Sequence, residues 1–578
     1  MHKTNWEMID KDKSIDHFDR ADAIIKKILM NKGITTEEEI EEFLSEKPQK
    51  TYNPFLLKNM KEIVNTIIDY INKKKSIWIY GDYDVDGIAS ISLLMDFLSN
   101  FTNNLHYYIP LREEEGYGLN CDAIKDIKEK GGELIITVDC GSTSVEEVEL
   151  AKNLGMEIIV TDHHNLSEEV PDCLILNPKQ EDCPYPFKFL CGCGIAFKLA
   201  QAIQKNMGAP KKYLSDILDL VALATVADVV PLIDENRTLL KYGLKKLNNP
   251  TRLGLKYLIE AVGLKDKNIS AGHIGFVLGP HFNASGRIDD ARAGVELLLS
   301  KEQHKIKYLV EHLVTCNNER KAIQKKGLEI CKAKVEKYYM NDLFLVIDSE
   351  GTHEGVIGIV AGRIRDLYYK PTLIVTRSQD EGILKGSGRS IDDIDIYEEM
   401  KKCKDLFIKF GGHKNACGFS IEESKLELLR KRLNEEAFKI KKQSPNKFVK
   451  TIKIECELKP SQITEEFVKA LEKIEPYGMG NEKPYFLIRQ IKVDNNKEKV
   501  VMGKNHEHLR LRGVSEKYHD STEILAVGFG LAENYVNELN CPEIVDIVGF
   551  PNINEWNGYK NMQLMIRDMK AYKSNISE

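Results

Sequence analysis

Residues 77–90 read IWIYGDYDVDGIAS, and the fold follows from them. Ile77, Trp78, Ile79 and Tyr80 form an apolar run short enough for a buried strand. Gly81 breaks it, and three carboxylates follow at alternate positions: Asp82, Asp84 and Asp86. Gly87 is expected to make a tight turn, with a helix opening at Ile88-Ala89-Ser90 and ending near Leu98. Carboxylates at the C-terminal end of a strand sit where α/β sheets bind ligands. So close together they repel unless a cation holds them, and hard divalent ions take carboxylate oxygens. From this stretch alone, an acidic loop in water is the alternative.

Outward from it the chain alternates. A one-faced helix over residues 55–71 feeds the first strand. Strands are expected over 105–111, 133–138 and 157–161, with a helix over 144–154, which indicates a parallel, doubly wound sheet. The second of these strands ends at Asp139 and the third at Asp162-His163-His164. A helical segment over 214–227 then delivers Asp228. A lone Asp near a helix end is usually a cap. After three ligand-bearing strand ends it reads better as a fourth metal-binding element.

The 578 residues exceed what one core can bury, so several domains are expected. The net charge of -7 neither announces nor excludes a nucleic-acid partner, since local basic patches can persist around an acidic centre. There is no apolar leader and no run of 18 apolar residues, so no secretory signal or membrane span is expected. The 12 cysteines lack paired CxxC spacing, even around Cys173, Cys183, Cys191 and Cys193. A zinc site at that last group is the alternative to the favoured reading, buried free thiols in a reducing, cytoplasmic setting.

Farther along, residues 237–340 are mostly helical, interrupted by GHIGFVLGPHFNASGRIDDA (272–291), whose glycines suggest backbone pressed close to something. A second α/β unit spans 341–441. It contains HEGVIG (353–358), GSGRS (386–390) and GGH (411–413), and a Gly-Ser-Arg segment suits a phosphate. After a polar linker, short strands over 508–512, 523–529, 544–550 and 562–567 indicate a small barrel.

GDYDVDG, TVDCG, TDHH and VADVVPL, in that order, resemble the four motifs of the DHH phosphoesterase superfamily. Within it the likeness is to the RecJ family of single-strand-specific 5′→3′ exonucleases. That resemblance implies an N-terminal region (1–54), a DHH catalytic domain (55–236), a helical connector (237–340), a DHHA1 substrate-binding domain (341–441) and an OB-fold (447–574). It implies two divalent cations, Mn²⁺ or Mg²⁺, with Asp139 as the bridging ligand. Asp84 and Asp86 would each face one ion, and His163 and Asp228 would complete the set. Asp82 is a further ligand or a neighbouring acceptor. Asp162 would orient the histidines. His164 is assigned a catalytic role, at the phosphoryl oxygen or the leaving group, or else orients a ligand.

Substrate contacts fall to Arg112, Arg287, Ser387, Arg389 and His413, with Arg112, Ser387 and Arg389 holding a 5′-phosphate. Arg287 has a structural ion pair as its alternative. In the barrel, Lys504, His508, Arg510, Arg512, Trp556 and Tyr559 are contributors to strand binding. The expected activity is metal-dependent hydrolysis of single-stranded DNA from the 5′ end to mononucleotides, in DNA repair and recombination. Expected partners are single-stranded DNA, a RecQ-type helicase and a single-strand-binding protein, for a monomeric enzyme. A hydrolase of short oligonucleotides or cyclic dinucleotides is disfavoured because it needs no barrel. A metal-less replication scaffold is disfavoured because every ligand position is filled.

Overall fold

The computed structural model describes residues 4–9, 21–112, 114–493, 500–518, 520–556 and 559–572, with the side chains of Asp520, Trp556 and Tyr559 outside that description. It comprises two units: Ser45–Ala322 with Pro476–Glu482, and Met1–Leu44 with Ile323–Glu475 and Lys483–Glu578. The strand β1 (Asn5–Met8) belongs to the second.

The first unit is built on β2 (Ile77–Gly81), β3 (Leu105–Tyr108), β4 (Leu134–Val138), β5 (Glu157–Thr161) and β6 (Leu174–Leu176). These are all parallel, in the order β3-β2-β4-β5-β6. Both faces are covered, which is why β2 and β4 are continuous apolar runs rather than alternating ones. Ile77, Ile79, Leu134 and Ile136 pack with the helices Met60–Asn72, Val85–Leu98, Gly192–Met207 and Leu218–Ala227. Trp78, Tyr80, Ile135 and Ile158 pack with Cys121–Glu129 and Val145–Asn153 on the other face. Each fully buried Ile, Val or Leu contributes about 1.5–3 kcal/mol.

Two expectations are corrected. The helix after β2 starts at Val85, with Asp84 as its N-cap accepting from the amides of Asp86 (2.9 Å) and Gly87 (3.2 Å). Gly87 is therefore inside the first helical turn. It is glycine because a Cβ there would lie 2.2 Å from the Asp82 carbonyl oxygen. Residues 272–291 also do not interrupt the helical region. They form a π-turn (Ile274–Leu278) running into the helix Gly279–Ile288. The close approach is real, since a Cβ on Gly286 would lie 2.3 Å from the Tyr83 carbonyl oxygen. Cys183, Cys191 and Cys193 are buried in the core and form no disulfide.

In the second unit β7 (Leu345–Asp348), β8 (Thr372–Arg377), β9 (Ile383–Arg389), β10 (Phe407–His413) and β11 (Ala416–Glu422) form a sheet in the order β10-β11-β9-β8-β7. Only β7 and β8 are parallel. β12 (Thr451–Ile454) pairs with β1. Then come β13 (Cys456–Glu457), β14 (Phe486–Val493), β15 (Val501–Met502), β16 (His508–Ser515), β17 (Asp520–Gly528), β18 (Ile544–Trp556) and β19 (Tyr559–Ala571). The ladder β14-β18-β19-β17-β16 returns to β14, closing a five-stranded barrel of OB type. No described helix is long and apolar enough to cross a membrane.

Candidate metal centre

The parallel register brings the ends of β2, β4 and β5 side by side, Gly81 opposite Val138 and Val138 opposite Thr161. The residues that follow them therefore converge. His163 Nε2 lies 3.0 Å from Asp139 Oδ1, 3.7 Å from Asp86 Oδ2 and 3.6 Å from Asp228 Oδ2. Asp86, His163 and Asp228 offer donor atoms within 4.8 Å of one another, and so do Asp82, Asp84 and Asp139. Asp139 stands in the second set and beside His163 of the first, as a shared ligand must.

These buried atoms are held ready. Asp82 Oδ1, Asp139 Oδ1, His163 Nε2 and Asp228 Oδ2 have no hydrogen-bond partner. Unpaired buried polar atoms are costly, and four of them spread over two adjoining donor sets call for cations. Burial and the crowding of like charges oppose ionisation. Asp82 and Asp139 are pushed well above the carboxylate range, Asp86 up to about 6 and Asp228 up to about 9. Burial, with His164 close by, pushes His163 down to about 3, leaving the neutral imidazole a metal needs. The donor set, five carboxylates and one imidazole, fits Mn²⁺ or Mg²⁺.

The backbone is shaped to this end. Asp139 has φ 60°, in the left-handed region, and so has the β-branched Val229 beside Asp228, at φ 58°. Such conformations cost about 1–3 kcal/mol each and cluster at functional sites. A Cβ on Gly192 would lie 2.6 Å from Asp139 Cβ. The amides of Gly192 and Cys193, at the start of the helix Gly192–Met207, donate to Asp86 at 2.6 and 2.8 Å.

Asp162 does not face the cluster. Its Oδ1 accepts from the amides of His163 (2.7 Å) and His164 (3.1 Å) and lies 2.8 Å from His164 Nδ1, while Oδ2 accepts from the Ser142 amide at 2.9 Å. Burial works against its ionisation, yet the contacts with His164 and His163 hold it well below its usual range. Burial likewise lowers the His164 pKa, but the Asp162 hydrogen bond and charge outweigh it and raise it. His164 is 46% exposed and open to substrate.

Arg112 stacks over the Tyr83 ring, 4.9 Å from its centroid. Arg287 closes the helix Gly279–Ile288, and its charge also acts on Tyr83. Ser387, Arg389 and His413 lie in the second unit, where His413, Ala416 and Arg389 stand side by side across β10, β11 and β9. The glycines of GSGR serve packing. Phe419 fills the space beside Gly386, and Cys417 and Leu373 that beside Gly388. Ser387 and Arg389 point the other way, against Gly358 of the helix Glu354–Tyr368. His353 caps that helix, accepting from the Gly355 amide at 3.1 Å.

Sequence reasoning missed three residues here. Tyr83, between two of the motif carboxylates, braces Arg112. Tyr117 donates to the Asp139 carbonyl at 3.2 Å and lies 3.3 Å from His164 Nδ1. Half-buried Lys179 has its pKa lowered by burial, and the Asp162 and Asp228 charges act on it. Only the Gly-Tyr-Gly setting of Tyr117 carried a signal.

A parallel sheet whose strand ends assemble such a cluster defines a DHH-type phosphoesterase domain, and residues 76–225 match the DHH family N-terminal domain. Residues 340–438 match the DHHA1 domain, and residues 454–568 the RecJ OB domain. The chain is 36% identical over 572 residues to the single-stranded-DNA-specific exonuclease RecJ of Bacillus subtilis, covering 98% of this chain and 71% of that protein. It is 31% identical to the Escherichia coli protein of the same name, covering 94% and 95%. The crystal structure of RecJ in complex with Mn²⁺ from Thermus thermophilus matches with a TM-score of 0.81 at 26% identity, over 99% of this chain and 80% of that one. The chain belongs to the RecJ family.

Proposed function

We propose that this protein hydrolyses single-stranded DNA from its 5′ end, using two divalent cations. The observation that carries the reading is the convergence of four buried, unpaired donor atoms, on Asp82, Asp139 and His163 at the ends of parallel strands and on Asp228 at the end of the helix Leu218–Ala227. Asp86, His163 and Asp228 would hold one cation and Asp82 and Asp84 the other, with Asp139 common to both. Such a pair supplies Lewis acidity toward phosphate and a deprotonated water at neutral pH.

The side chains do the rest. Asp162 fixes His164, which offers a proton or hydrogen bond to the phosphoryl or leaving oxygen. Tyr117 holds the Asp139 loop and His164 in one arrangement. Arg112, braced on Tyr83, and Arg389 with Ser387 suit a terminal phosphate, which a guanidinium grips through two oxygens. Arg287 and His413 are further substrate contacts in this reading. The barrel would track the strand through Lys504, Arg510 and Arg512. A RecQ-type helicase and a single-strand-binding protein would be its partners in repair and recombination.

The test is digestion of single strands labelled at the 5′ or 3′ end, in Mn²⁺ and in chelator. Mononucleotides released from the 5′ end only in Mn²⁺ are expected. Digestion in chelator, or from the 3′ end, would refute the reading.

A further inference from the structure

A second cluster of metal-type donors lies away from the carboxylates, and nothing in the proposed reaction uses it. Asp289 caps the C-terminal end of the helix Gly279–Ile288, while His312 and Cys316 sit one turn apart on the helix Gln303–Lys334. His312 Nε2 is 3.3 Å from Asp289 Oδ2 and 3.7 Å from Cys316 Sγ. All three donor atoms lie within 4.8 Å of one another.

Hydrogen bonding alone explains this poorly. An imidazole nitrogen carries either one proton or one in-plane lone pair, so Nε2 can make only one full, well-aligned hydrogen bond, to the carboxylate oxygen or to the sulfur. A central cation serves all three. Tetrahedral zinc, with bonds of about 2.0 Å to nitrogen and oxygen and about 2.3 Å to sulfur, requires edges of about 3.3 Å for N···O and about 3.5 Å for N···S. The observed separations match both.

The surroundings are preformed. Beneath the triad, His281 Nδ1 lies 2.7 Å from the Val277 carbonyl and His281 Nε2 lies 3.1 Å from Asn317 Nδ2, and Arg320 Nε donates to Asn317 Oδ1 at 3.0 Å. These bonds fix the two helices against each other without any ion. Cys316 is only 3% exposed. The Asp289 and His312 side chains are 56% and 26% exposed, so an ion can enter from solvent.

We infer that Asp289, His312 and Cys316 form a binding site for one zinc-type cation, separate from the Mn²⁺ or Mg²⁺ pair. A thiolate with an imidazole selects zinc over the hard oxygen-seeking ions. Three protein ligands leave a fourth position for water. Binding forms the metal–sulfur bond and releases the Cys316 thiol proton to solvent. The bound ion ties the end of the Arg287-bearing helix to the long helix. The inference does not depend on the catalytic reading.

The test uses Co²⁺ as probe on the full chain freed of metal by chelation. Only a cysteine ligand gives a thiolate-to-cobalt charge-transfer band. The band should saturate, disappear on adding Zn²⁺, persist in Asp139→Asn, and be lost in Cys316→Ser and in His312→Gln. The second substitution is partly exposed, so it preserves the fold should the first not. Zn²⁺ should also raise the melting temperature of the wild type by more than that of His312→Gln, in which only the metal centre remains to bind it. Absence of the band, or a band that survives both substitutions, would overturn the site.

Discussion

The metal centre and the Gly-Ser-Arg strand β9 solve opposite problems. In the centre, Asp82, Asp139, His163 and Asp228 keep buried atoms unpaired, on a backbone held at positive φ at Asp139 and Val229. In β9, Arg389 Nη1 donates to the Gly388 carbonyl at 2.7 Å and to Ser387 Oγ at 3.1 Å, and Ser387 Oγ lies 3.4 Å from the Cys417 carbonyl. One region leaves its donor atoms without protein partners. The other gives its functional groups internal bonds that a phosphate must replace. A cation should therefore change stability strongly, and a terminal phosphate much less.

The largest expected effect tests the first half. Asp139→Gly should lower activity by at least about two orders of magnitude, as loss of a central electrostatic element does. Its metal-free melting temperature should equal or exceed that of the wild type, because glycine accepts positive φ and a crowded carboxylate is gone. A simultaneous fall in stability would break the contrast.

Next is the pH dependence of the metal-free protein. Asp86 and Asp228 titrate at about 6 and about 9 when folded, above the ordinary aspartate value of 3.8. Between 3.8 and about 9 the folded state holds more protons than the unfolded one, so stability is greatest at the acid end and falls as pH rises. Saturating Mn²⁺ should reverse the slope, adding about 2.7 kcal/mol at a hundred times its dissociation constant. Melting curves across this range, with Mn²⁺ and with chelator, measure it. A flat profile without metal would count against the crowded-carboxylate description.

The second half is sharpened by Arg389→Ala, which should cost about 1.5–3 kcal/mol of preference for 5′-phosphorylated over 5′-hydroxyl strands. Arg389→Lys should recover part of it, since an ammonium lacks the planar fork. Competition between the two ends reads this ratio, and an unchanged ratio would place end recognition elsewhere.

The smallest effect belongs to the barrel. Removing it whole is a poor test, because β12 holds β1 and Trp6 Nε1 donates to Asp568 at 2.7 Å. Substituting the exposed Arg510 and Arg512 with Ala should instead raise KM a few-fold on long strands, flatten its salt dependence and spare kcat on short ones. Equal losses on both lengths would contradict a tracking role.

Much of this architecture was legible because parallel strands buried on both faces advertise themselves. Residues 157–161 were read to the residue, and their DHH ending pointed to the cluster. β6 was missed because three residues carry too little pattern, and β14 because Arg489 and Gln490 break its alternation at a bulge. The start of the helix at Val85 was hidden because Asp84 caps as well as faces the centre. Residues 272–291 looked like a break because their glycines answer to close packing on Tyr83, which no local signal reports. Asp289, His312 and Cys316 are brought together by two helices whose contact the sequence does not announce.

The most direct measurement is the number of Mn²⁺ ions bound per chain, by calorimetric titration of the chelated protein in a Cys316→Ser background. The account predicts two in that background and fewer when Asp139→Asn is added. One ion or none, or a count that Asp139→Asn leaves at two, would contradict it.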